Sequence, residues 1–120
     1  MADGLQLEEQ HDRGEVVLSV AGDLDLATVP ELCVHLRRLR AGGHRLVVLD
    51  LSELDFCDST GLRALFGEAR EAEIAGARLA VVAPSDGVAR RLFELTGAGE
   101  IIDVHPDRGS ARLALTVARR

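Results

Sequence analysis

The stretch Leu46-Val47-Val48-Leu49-Asp50-Leu51 is almost unbroken in its apolarity, and it is short. A strand reads this way only when both of its faces are covered, because a half-solvated strand alternates apolar with polar residues. Leu79 to Val82 repeats the pattern. Between the two runs, Leu62, Leu65, Phe66 and Ala69 recur at helical spacing from Ser59 onward, with Arg63, Glu68, Arg70 and Glu71 largely off that stripe and a stop near Gly76. A strand, a helix and a second doubly covered strand define a crossover in a parallel sheet.

The rest of the chain extends this unit. Leu5 and Leu7, then Val16, Leu18 and Val20, alternate with polar residues on either side of a glycine-containing turn, which predicts two adjacent strands. Thr28-Val29-Pro30-Glu31 has the form of a capping box, with Thr28 as cap and Glu31 reaching back. The helix it opens carries Val29, Leu32, Cys33, Leu36 and Leu39 on one stripe and stops at Gly42-Gly43. After "PSDG", Val88, Leu92 and Leu95 predict a third helix ending at Gly97. Ile101, Ile102 and Val104 predict a last strand, and Ala111, Ala114, Leu115 and Ala118 a terminal helix. The expectation is one α/β domain over residues 1–120, with its core over about 5–118. It holds a mixed, mostly parallel sheet and about four helices.

Composition excludes several chemistries. The net charge is −6, and the aromatic residues are three phenylalanines, so neither a basic groove nor a stacking platform for nucleic acid is present. All 14 Lys and Arg residues are arginine, which removes any Walker or Schiff-base lysine. No stretch approaches 18 apolar residues and the first residues lack the pattern of a signal peptide, so no membrane partner and a cytoplasmic location are expected. With no heptad seam, the expectation for the unbound chain is a monomer. Cys33 and Cys57, the second placed in a loop, read as buried reduced thiols. His11, His35, His44 and His105 read as surface residues without metal spacing, and no cofactor or metal is expected.

The junction "FCDSTGL" holds the remaining chemistry. A hydrolase elbow would need glycine two residues before Ser59, where Cys57 stands, and no general base is placed, so no catalytic residue is assigned. Asp58 suits a helix cap. Ser59 would lie in the first turn of a helix, where outward amides and the helix dipole can hold a covalently attached phosphate. From the residues alone, a plain helix start and a modified serine both fit. Likewise Asp23 and Asp25 in "GDLDL" fit either a turn or a recognition role.

The segment "LVVLDLSELDFCDSTGLRALFGEAR" closely resembles the signature of the anti-sigma factor antagonists of the STAS-domain family. "VVLSVAGDLDLATVPEL" and "VARRLFELTGAGEIIDV" resemble two further family segments in the same order. The sequence departs from the family's pattern at Asp23, where glutamate is usual, and at Arg63, where glycine commonly follows the leucine. The resemblance implies a STAS-like fold and maps the family's phosphoacceptor to Ser59, with Thr60 as its neighbour.

It also implies a cycle. Unmodified protein would bind an anti-sigma factor that is an ATP-dependent serine kinase, releasing a sigma factor; phosphorylation of Ser59 would end the binding, and a serine phosphatase would restore it. Asp23, Asp25, Asp58, Ser59, Thr60, Gly61, Leu62 and Arg63 would form the partner-binding surface, with Gly61 and Leu62 its close-approach and apolar part. ATP would belong to the partner, and the chain would be no enzyme. The alternative is a STAS module that no kinase modifies, acting as a small-molecule sensor or a scaffold in a stress-signalling assembly.

Overall fold

A computed structural model describes residues 4–118. Among the described residues the elements follow as β1 (Gln6–Asp12), β2 (Glu15–Leu24), α1 (Val29–Ala41), β3 (Leu46–Cys57), α2 (Ser59–Ile74), β4 (Arg78–Val82), α3 (Val88–Thr96), a 3-10 turn (Ala98–Glu100), β5 (Val104–His105) and α4 (Arg108–Ala118). The sheet runs β1-β2-β3-β4-β5, with β1 antiparallel to β2 and every later pairing parallel. Arg13 and Gly14, both at positive φ, make the tight turn between β1 and β2.

Period-two alternation splits the apolar runs between two layers. Val47, Leu49, Leu79 and Val81 pack with Leu32, Leu36, Leu62, Leu65 and Phe93 from α1, α2 and α3. Leu46, Val48, Ala80 and Val82 face the other way, onto Ala111 and Leu115 of α4. The central run is unbroken because it serves both layers.

Polar contacts fix α4 to its side of the sheet. Arg108 donates through Nε to Asp50 Oδ2 at 2.5 Å and through its terminal nitrogens to Gln10 and Ser19 at 2.8 Å each. Arg112 pairs with Glu15 at 2.8 Å and Asp12 at 2.7 Å. Burial pushes the Asp50 carboxyl up, but hydrogen bonds from the Ser52 hydroxyl, Arg108 and the Ser52 amide, together with the Arg108 charge, outweigh it and hold the carboxyl below the usual carboxylate range. A depressed folded value means that this stabilisation is complete above the unfolded pKa of about 4 and fades as pH falls through the folded one. In urea titrations, Asp50→Asn is expected to flatten the acid side of the stability profile; a profile parallel to wild type below about pH 4 would refute this linkage.

Four local expectations require correction. Thr28 makes no side-chain cap to α1, and Glu31 accepts from the Leu5 amide at 3.2 Å instead of closing a capping box. Ile101 and Ile102 do not form a strand: Gly97, at φ 75°, starts a turn in which both amides donate to the Ala98 carbonyl, burying Ile102 and leaving β5 only two residues. Glu68, expected off the apolar stripe of α2, is 3% exposed and meets Arg40 of α1 at 3.1 Å. Val88 and Leu95 of α3 face solvent, while Ala89 and Phe93 enter the core.

Candidate functional site

The site is built where β2 and β3 end side by side. Asp23 pairs in register with Phe56 and Leu24 with Cys57, so β3 carries through Cys57 where a loop was expected. Register shifts between Ser19 and Ala21 and between Gly22 and Asp23 interrupt β2 just before this end. Gly22 sits at φ 104°, a backbone that side-chain-bearing residues rarely adopt, and it presents the exposed Asp23 at the tip.

Thr28 and Asp25 hold the segment that follows. The buried Thr28 hydroxyl donates to the Asp23 carbonyl at 2.7 Å and accepts from the Asp25 amide at 3.0 Å. Asp25 Oδ1 accepts from the Ala27 and Thr28 amides at 3.0 and 3.2 Å. Asp25 therefore shapes the turn, while Asp23 is the exposed carboxylate. Thr28 was legible as a hydroxyl before a helix, but its target is the loop behind it.

Across from this loop, Asp58 caps α2 through Oδ1, which accepts from the Gly61 amide at 2.9 Å, and its own amide donates to the Leu24 carbonyl at 3.3 Å. Ser59 is the first residue of α2 and is exposed; Thr60 beside it is half-buried, and Arg63 one turn on is exposed. The structure thus gathers Asp23, Asp58, Ser59 and Thr60 at one end of the sheet. Gly61 and Leu62 do not join them. A Cβ at Gly61 would lie 2.7 Å from the Leu24 carbonyl oxygen, and Leu62 is 6% exposed, so both pack α2 against the core instead of presenting a docking surface.

The Cys57 thiol is pushed up to about 11, first by burial and then by the Asp58 carboxylate, so it stays protonated at neutral pH. Cys33 is only half-buried. The histidines lie elsewhere: His11 and His35 bond to Glu9, His44 meets the His11 ring edge-on at 5.2 Å, and His105 bonds to Asp103 at 2.8 Å. His11 is exposed and the other three are half-buried at the surface, as expected of residues outside the core. Among the described residues no group of three or more His, Cys, Asp or Glu side chains is arranged to hold a metal ion, and no helix is long and apolar enough to cross a membrane.

Fold and site define an α/β domain with a capped, hydroxyl-bearing helix start flanked by carboxylates. The chain belongs to the STAS domain family, whose model matches residues 6–111. It is 34% identical to an anti-sigma-B factor antagonist of Staphylococcus aureus, over 73% of this chain and 81% of that one. The crystal structure of an anti-sigma factor antagonist from Mycobacterium paratuberculosis superposes with a TM-score of 0.85 at 27% identity, covering 97% of both chains. The Bacillus cell fate determinant SpoIIAA in its phosphorylated form shares the fold, with a TM-score of 0.65 at 24% identity over 92% of this chain and 98% of that one.

Proposed function

We propose that this chain is an anti-sigma factor antagonist switched by phosphorylation of Ser59. Its unmodified form binds an anti-sigma factor that is also an ATP-dependent serine kinase, and so releases a sigma factor. Phosphate on Ser59 ends the binding, and a serine phosphatase removes it. In this reading the chain is a substrate and a binding module, and ATP is bound by the partner.

The observation that carries the reading is the placement of Ser59. It is exposed as the first residue of α2, beside the Asp58 cap and near the exposed Asp23, at the tip of the sheet where an incoming active site can reach it. The names of the Staphylococcus and Mycobacterium relatives support the anti-sigma partner. Asp23, Asp58, Thr60 and Arg63 complete the contact surface around the serine, with Asp25 shaping the loop that presents Asp23.

The test is incubation with ATP and a candidate cognate anti-sigma kinase, read by intact mass. A gain of one phosphate in wild type and none in Ser59→Ala is expected. No gain, or the same gain in Ser59→Ala, overturns the switch, and the first result turns the reading toward an unmodified scaffold or sensor.

A further inference from the structure

The helix α3 carries two apolar stripes. Ala89 and Phe93 face inward and are buried, which satisfies the packing of the helix. Val88, Leu92 and Leu95 form a second stripe at i, i+4 and i+7, with Val88 40% and Leu95 79% exposed. Together with Phe56, 47% exposed at the end of β3, they line a groove of about 310 Å³ edged by Asp86 and Arg91. An apolar groove rimmed by charge is a surface on which an amphipathic partner can dock.

The groove is continuous with the Ser59 surface. Phe56 pairs in register with Asp23 and lies three residues before Ser59 in the chain. The exposed Asp23, Asp55 and Asp86 and the half-buried Asp58 make the adjoining surface mainly acidic beside the exposed Arg63, and among the described residues Arg91 is the cation on the groove wall. An occupant therefore needs an apolar face as long as α3, basic residues at the end nearest Ser59, and an acidic residue to meet Arg91.

We infer that the groove receives an amphipathic helix of about two turns from the anti-sigma factor, its apolar face laid on Phe56, Val88, Leu92 and Leu95. This inference rests on the function proposed above and divides the work of the interface. The groove supplies affinity by burying apolar area, and the Ser59 end supplies the response to charge.

The test is calorimetric titration of the full, unphosphorylated chain into the anti-sigma factor that it binds. Leu95→Asp and Val88→Ser alter exposed side chains and are expected to weaken binding by about tenfold or more, as the loss of one buried aliphatic contact implies. Ile74→Ser, which changes an exposed apolar residue at the far end of α2, is expected to leave binding unchanged. Groove variants that bind as tightly as wild type overturn the inference. So does a doubled mass for wild type that Leu95→Asp returns to monomer, which would give the groove to a second copy of the chain. Weakened binding by Leu95→Asp together with no phosphate gain on Ser59 upholds the groove and removes the switch alone. Wild type that does not bind the anti-sigma factor refutes the proposed function, and the inference with it.

Discussion

Phosphorylated Ser59 is expected to weaken binding of the anti-sigma factor by about a hundredfold while shifting the melting temperature by only a few degrees. The two effects differ in size because they arise in different surroundings. In the unbound chain the phosphate stands at the first residue of α2, exposed to water. The helix dipole and first-turn amides favour it by about 0.3–1 kcal/mol, and the neighbouring Asp58 opposes it by a similar amount in high dielectric. The two nearly cancel. In the complex the same dianion loses water beside Asp23 and Asp58, whose carboxylates already match the occupant's basic residues at this end, so it is left unpaired at a cost of about 2–5 kcal/mol. Each 1.4 kcal/mol or so is tenfold in affinity. Titration calorimetry and thermal melting on enzymatically phosphorylated protein check both halves. Binding within about threefold of the unmodified form would refute the charge mechanism, and a large fall in melting temperature would show that phosphate acts through the fold instead.

The layering of the domain was legible because period-two and period-3.6 patterns report burial directly. Leu46 to Leu51 showed a doubly covered strand, and alternate residues do face the two helical layers. The position of Ser59 at a helix start followed from the same patterns. The misread parts are those where a side chain's partner is remote in sequence. Nothing local marks Glu68 as buried, since its cations, Arg37 and Arg40, stand on α1, 28 residues or more earlier. The α3 pattern offered Val88, Leu92 and Leu95, yet of these Leu92 alone packs against the core, at its edge, while Ala89 and Phe93 are buried, one large aromatic and one small residue filling the space over β3. Helical spacing identifies a stripe without saying whether the chain's own core or another protein covers it. Gly61 and Leu62 were assigned to the docking surface with their motif, but burial places them behind it.

Gly61→Val is expected to cost about 3 kcal/mol and to lower the melting temperature by roughly 10–20 °C, whereas Gly67→Ala, further along the same helix, is expected to stabilise by about 0.5–1 kcal/mol. The contrast in sign isolates the cause. Glycine in a helix interior forfeits about 1 kcal/mol of propensity against alanine, so a replacement that meets nothing gains. At Gly67 a Cβ has no neighbour within 4 Å. At Gly61 it would stand 2.7 Å from the Leu24 carbonyl oxygen, 2.9 Å from Leu24 Cγ and 3.0 Å from Cys57 Sγ. The nearest of these is backbone at the paired end of β2, and the same carbonyl accepts from the Asp58 amide, so it cannot turn aside without breaking the bond that seats the start of α2. The helix must lift, and the propensity gain is far too small to offset that. Leu24 lies between Asp23 and Asp25, so the lift also separates Ser59 from the acidic loop, and binding to the anti-sigma factor is expected to weaken even at temperatures where the variant remains folded. Melting curves for both variants decide the matter: a Gly61→Val protein melting within about 3 °C of wild type would show that the loop yields freely, and that the spacing of Ser59 from Asp23 is not set by this glycine.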